Sequence, residues 1–282
     1  MFSFFKKKIR PKTELKKILK GYELPSFPAV VMQILQKIRS PYSSAANIAE
    51  SLALDPGISV KVLGIANSAA FSPIKKVENL TQAVALVGIS QLESLVLGVG
   101  VAQGMPRQSC QWHDPALFWL TSAKRAVLAS ELARYLCPAK ESECFTAAFL
   151  QDLALPFLAC QRSKDYGPIF EKWYSEGGDL AELERETLCW DHTEVASWIC
   201  AEWGLPENIA AAIRGHHGAE VQNHQALGPV RLVAILREKE ANSGMDELIE
   251  TAVTLYSLEA EKVEAMIAPA FEKAKDLARM IA

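Results

Sequence analysis

The sequence has no long hydrophobic run. Its longest glycine-tolerant apolar stretch, Leu95 to Ala102, is eight residues, whereas a membrane-spanning helix needs roughly 20, so no transmembrane span is expected. It has no Gly-x-Ser-x-Gly elbow and no glycine-rich phosphate loop, which argues against nucleophilic hydrolase and phosphate-loop chemistry. Its six cysteines, at 110, 137, 144, 160, 189 and 200, include no pair at the spacing of a zinc knuckle or thiol redox motif. They read as reduced, mostly buried small hydrophobes. Nor is there any sustained two-residue alternation between hairpin turns. Charge of either sign is not in excess: 22% of residues are charged and the net charge is −3, which excludes a disordered tail or a globally basic nucleic-acid coat.

What is present is an uneven charge distribution on a chain long enough to bury a sizeable core. Of the 30 basic residues, eight (Lys6, Lys7, Lys8, Arg10, Lys12, Lys16, Lys17 and Lys20) lie in the first 20 positions, with Glu14 the single acid there. Residues 1–21 are therefore a basic leader. No apolar core follows the lysines, so the segment is not a secretory signal and the expected location is cytoplasmic. Phe2, Phe4 and Phe5 beside three lysines offer a weak contact to an anionic membrane surface; the plainer expectation is a frayed, solvated leader.

Periodicity is helical almost throughout. Val30, Val31, Ile34, Leu35 and Ile38 repeat at three and four residues, which gives one apolar helix face. Asn79 with Gln82, Ser90 with Glu93, and Asp191 with Glu194 have capping-box spacing, and Pro28, Pro56 and Pro206 suit first-turn positions. The expected fold is all-α, a multi-helix bundle. Residues 104–115, GMPRQSCQWHDP, are a linker composition, and 160–168 reads as a second loop. The expected parts are 22–103, the linker 104–115, 116–240, and a helical extension over 241–282. All six tryptophans and all five histidines fall between 112 and 224, which places any imidazole chemistry in the second part.

Small side chains at Ala66, Asn67 and Ser68 end an apolar helix before a turn, so Asn67 is expected to be buried and bonded to loop backbone. Gly98 and Gly100 read as close-packing positions. His192 follows Asp191 at a helix start, and His216–His217 end another helix, where the dipole favours them. His113 and His224 lie in loops without a signal. Asp152 stands in the apolar stretch AAFLQDLALPFLA, where an acid must be paired, capped or functional.

The segments LPSFPAVVMQILQKI, ANIAESLALDPGISVKVLGIANSAAFS and NLTQAVALVGISQLESLVLGVG, followed by FWLTSAKRAVLASELA, AAFLQDLALPFL and DHTEVASWICAEWGLPENIAAAIRGHH, closely resemble the HDOD family, the HD-related output domain of bacterial signalling proteins. The resemblance spans about residues 20 to 240. It implies an N-terminal helical subdomain packed on a degenerate relative of the HD phosphohydrolases, which hold metal with a histidine, a His-Asp doublet and a later aspartate. Those positions fall here on Thr121, Gln151-Asp152 and Ala234. Three of the four ligands are missing, so no catalytic residue and no cofactor is expected. Asp152, His192, His216 and His217 match the positions of a second ion. They form a residual pocket that could take a small ligand or, alternatively, a single transition metal.

The function this implies is a non-catalytic signal-transduction module acting through contacts with signalling proteins, with no nucleic acid as partner. The alternative is a metal-dependent phosphohydrolase acting on a nucleotide or other phosphoester through the residual site. The two halves are expected to share an apolar interface, with the linker no free hinge and the residual pocket open to solvent away from that interface.

Overall fold

The structure is a computed structural model and describes residues 11–68, 71, 73–217, 227–238 and 243–281. Its α-helices, in chain order, are α1 (Pro11–Ile18), α2 (Ala29–Arg39), α3 (Ala45–Leu52), α4 (Pro56–Ala66), α5 (Leu80–Val87), α6 (Ile89–Gly104), α7 (Pro115–Leu136), α8 (Glu141–Leu150), α9 (Leu155–Gln161), α10 (Ser163–Glu176), α11 (Leu180–Leu188), α12 (His192–Glu202), α13 (Glu207–Arg214), α14 (Leu227–Ala234), α15 (Met245–Tyr256) and α16 (Ala260–Ile281). Among the described residues there is no β-strand; a lone bridge joins Cys110 and His113. The fold is all-α.

Local chemistry sets many of the helix starts. Asp55 accepts from the Ile58 N–H just before Pro56, Asn79 from Gln82, and Asp191 from Thr193 and Glu194; each satisfies donors that a first helical turn leaves unpaired. A reciprocal capping box forms at Ser44 and Asn47. The box expected at Ser90 and Glu93 does not form. The chain turns by 112° between α5 and α6, and Gly88 makes that turn at φ +79, a conformation a residue with a Cβ adopts only at a cost. Ser90 is thereby drawn inside α6, and Glu93 pairs instead with Arg39 at 2.7 Å. Pro28 and Pro206 precede their helices by one residue, and Pro56 alone of the three occupies the first helical position.

Three further expectations are corrected. The stretch 160–168 is helical on both sides of a break at Arg162, because Tyr166, Phe170 and Trp173 bury one face of α10 and that burial outweighs Pro168 inside the helix. Residues 11–21 are not a frayed leader: α1 and the turn after it bury Leu15, Ile18 and Leu19, and α1 packs on α12. Phe2, Phe4, Phe5, Lys6, Lys7, Lys8, Arg10 and His224 lie outside the described residues. Finally, the cysteines are not mostly buried: Cys137, Cys144 and Cys200 are, but Cys110 and Cys160 are half-buried and Cys189 is exposed.

The two halves meet along α6 and α8. A Cβ at Gly98 would stand 2.8 Å from the Phe149 ring, one at Gly104 2.9 Å from Trp203, and one at Gly100 2.6 Å from Val31, so the glycines allow the helices their close approach. Trp203 donates its indole N–H to the Pro25 carbonyl at 2.8 Å and packs on Phe27. Helix α16 lies along α7 and reaches α4, where Met280 covers Gly64. One continuous hydrophobic cluster runs from Leu15 to Ile281. Residues 138–161 form a stretch long and apolar enough to cross a bilayer, but 89% of its apolar window is buried inside the protein, which is where a core element belongs.

Candidate functional site

Four segments deliver the site. Helix α7 contributes Thr121 and, one turn later, Arg125. The turn after α8 contributes Gln151 and Asp152. The Asp191 cap places His192 at the first position of α12. His216 and His217 follow the end of α13. Asp152, His192, His216 and His217 come together as the sequence suggests: Asp152 Oδ1 stands 3.4 Å from Nε2 of His192 and 3.3 Å from Nε2 of His216, and the ring of His217 packs on both other imidazoles.

The site is not open as expected. His192 is 0% exposed, His216 2% and Asp152 5%. Only His216 and His217 reach an outer cavity of ≈ 130 Å³, lined also by Trp173, Asp179, Arg231 and Tyr256. The reason is a residue the sequence did not single out. Arg125, buried on α7, forms an ion pair with Asp152 Oδ2 and donates to the Leu236 carbonyl, closing the cluster from the inner side.

Each imidazole is oriented through Nδ1. His192 Nδ1–H donates to Glu184 at 2.7 Å, and its backbone N–H donates to the same oxygen; Tyr166 donates to the other Glu184 oxygen. His216 Nδ1–H donates to the Ile213 carbonyl at 2.6 Å, and His217 Nδ1–H to Asp179 at 2.8 Å. Carboxylates and carbonyls only accept, so each Nδ1 carries a proton. The Nε2 atoms of His192 and His216 are then left facing each other at 3.2 Å, which requires a proton between two lone pairs.

Electrostatics assigns that proton to His192. Burial disfavours its charge, but the Glu184 and Asp152 carboxylates prevail and raise it to about 10. His216 is held below its usual value by burial, against Asp152, and burial with His216 lowers His217 to about 4. Asp152, despite burial, is held far below the usual carboxylate range by Arg125, His192 and His216. The buried set is therefore a neutral balance: Arg125 and the His192 imidazolium against Asp152 and Glu184. Beyond Arg125, burial raises Glu238 to about 7 against the pull of Arg125, and Glu238 shares a cavity of ≈ 20 Å³ with Arg125, Asp152 and Trp112.

These residues do not fit the metal of an HD phosphohydrolase. Thr121 and Ala234 are buried without a strong ligand atom, and both amide atoms of the buried Gln151 lack a hydrogen-bond partner among the described residues. Asp152, the one remaining ligand, already faces a guanidinium where a divalent ion would have to approach, and like charges in a dry site repel strongly. One nitrogen from each of His192, His216 and His217 lies within 4.8 Å of the others. An ion there would have to displace the His192 proton.

Glu184 and Asp179 were also missed, although Glu184 falls on the apolar stripe Leu180–Ala181–Glu184, the kind of misplaced acid that marks a buried partner, and Asp179 has the spacing of a helix cap. Arg125 carries no such mark.

A family model for the HDOD domain matches residues 24–219. Among curated proteins, an uncharacterized protein of Treponema pallidum (strain Nichols) is 23% identical over 210 residues, covering 69% of this chain and 38% of that protein; the chain thus spans well under half the length of this relative. Among solved structures, a provisionally named phosphohydrolase of Shewanella amazonensis superposes with a TM-score of 0.74 at 19% identity, covering 96% of this chain and 99% of that one. An HDOD domain protein of unknown function from Geobacter sulfurreducens gives 0.71 at 19% identity, covering 96% and 98%. A provisionally named signal transduction protein of Marinobacter aquaeolei gives 0.70 at 17% identity, covering 96% of this chain and 65% of that one. At these identities the likeness is one of fold.

Proposed function

Because this chain belongs to the HDOD domain family, we propose that it is a non-catalytic signal-transduction module that works by binding signalling proteins. The observation that carries this reading is the buried ion pair of Arg125 with Asp152. A guanidinium fixed at the Asp152 carboxylate supplies the positive charge that Asp152 needs and stands where a divalent ion would have to bind to activate a water. The polar cluster then serves as a fixed, charge-balanced core element, and its outer face beside His217 is the candidate input site for a small ligand.

Exposed apolar side chains support contact with a partner. Among the described residues, Tyr42, Leu54, Val60, Ile74, Leu86 and Ile89 are exposed in the first 90 residues, against Tyr135, Met245, Val253 and Leu255 in the remainder. Large apolar and aromatic side chains left in water on one subdomain are the usual material of a protein-binding surface.

The test is a phosphodiesterase, phosphomonoesterase and nucleotidase screen with manganese, iron or magnesium, run beside metal analysis of the purified protein. No turnover above background and no stoichiometric metal are expected. Gln151→His alone should not create activity, since Thr121, Ala234 and Arg125 remain. Turnover that disappears in Asp152→Ala while the variant keeps its helicity would overturn the reading in favour of a metal-dependent phosphohydrolase.

A further inference from the structure

Two cysteines 50 positions apart in sequence are brought together. Cys110 sits in the segment between α6 and α7, held in a tight turn: its N–H donates to the His113 carbonyl at 2.9 Å and the His113 N–H donates back at 3.1 Å. Cys160 is in the last turn of α9. Their sulfurs are 2.7 Å apart. The other close pair, Cys137 and Cys144, stands at 3.7 Å and is buried, whereas a covalent bond needs about 2.05 Å. Cys110 and Cys160 are both half-buried, within reach of a small oxidant, and the exposed Cys189 has no such neighbour among the described residues.

We propose that Cys110 and Cys160 form a reversible disulfide on exposure to a peroxide, fastening the segment between the two halves to α9. Peroxide oxidises Cys110 by two electrons: the sulfur takes one hydroxyl to become a sulfenic acid, and the other oxygen leaves as water. Cys160 then attacks that sulfur, the S–O bond breaks, and the departing hydroxide takes the Cys160 proton to give a second water. The balance is two thiols and one peroxide to one disulfide and two waters; a dithiol reverses it by exchange. Burial and the neighbouring Cys110 sulfur keep the Cys160 thiol protonated, up to about 12. The sequence of steps is the same with the two sulfurs exchanged, and the product is the same disulfide whichever is oxidised first.

The bond would act where the candidate site is walled. Trp112, two residues after Cys110, packs on Gly167 and stacks on Phe170, and it lines the small cavity shared with Arg125, Asp152 and Glu238. Fixing Cys110 fixes that wall.

The full-length protein, reduced and freed of reductant, is treated with hydrogen peroxide, alkylated and mapped by mass spectrometry, with hydrogen exchange measured in parallel. Expected are a fall in free thiols from the six of the sequence to four, a dithiothreitol-sensitive link between the peptides holding Cys110 and Cys160, and slower exchange over residues 105–114. Cys110→Ser and Cys160→Ser should each abolish the link; if one fails to fold, the other carries the control. Oxidation confined to Cys189, a bond between Cys137 and Cys144, or separate over-oxidation of Cys110 and Cys160 without a link would overturn the proposal.

Discussion

Arg125 and Asp152 lie 27 positions apart and form an ion pair whose side chains are only 4% and 7% exposed. Their charges stabilise the fold only together. Arg125→Met should cost about 3–5 kcal/mol, because it strands a buried carboxylate, whereas Arg125→Met with Asp152→Leu should cost much less than the sum of the single changes. Urea unfolding of the three variants measures the coupling; additive losses would mean that the pair is not one unit.

The imidazoles give the pH–stability profile two limbs that meet near pH 6.5, on which Glu238, raised from 4.5 to about 7 by burial, superimposes a loss as pH rises between those values. His192 is raised from 6.5 to about 10 in the folded protein, so its contribution is complete below pH 6.5 and is lost as pH rises through 10. His217 is lowered from 6.5 to about 4, so its contribution is present above pH 6.5 and is lost as pH falls through 4. Each slope is at most about 1.4 kcal/mol per pH unit. Unfolding midpoints across pH should show His192→Gln flattening the alkaline limb and His217→Gln the acid limb. If each variant flattened the opposite limb, the proton assignment in the cluster would be wrong.

Asn67, expected to be substantially buried, is partly buried, and it bonds main chain as expected. Its amide accepts the Val77 N–H at 2.8 Å and donates to the Val77 and Leu63 carbonyls, both at 2.9 Å. It holds the end of α4 to the turn ahead of α5. Asn67→Leu should destabilise the protein by about 1–3 kcal/mol through the unpaired backbone groups. A chemical denaturation midpoint unchanged from the parent would show those bonds to be dispensable.

The contact between Gly98 and Phe149 predicts coupled halves. Gly98→Ala pushes a methyl against the ring and should cost about 1–3 kcal/mol, with Phe149→Leu restoring part of the loss. Since the hydrophobic cluster is continuous across the interface, calorimetry should show one transition in both the parent and Gly98→Ala. Two well-separated transitions would show that the halves unfold independently.

How far each of these was legible depended on the reach of the physics behind it. Helix periodicity, the caps at Asn79 and Asp191, the first-turn place of Pro56, and the roles of Gly98 and Asn67 follow from residues within a few positions of one another, because hydrogen-bonded turns and i, i+4 faces are local. Asp152 was legible because an acid in an apolar run has few stable fates. The leader and the stretch 160–168 depart from their local signals, a solvated composition and a proline, because tertiary burial of Leu15, Leu19, Tyr166 and Phe170 overrides them.

The sequence by itself thus determined an all-α chain and its family resemblance, and that resemblance implied Thr121, Gln151 and Ala234 where HD enzymes carry metal ligands. Only the tertiary structure decided that Arg125 closes the site, that Glu184 and Asp152 place a proton on His192, that the cluster is buried, and that Cys110 meets Cys160. The reason is that Arg125 and Asp152, or Glu184 and His192, interact through space over a few ångströms. Which charges share that distance is set by how the helices pack, which no local pattern records.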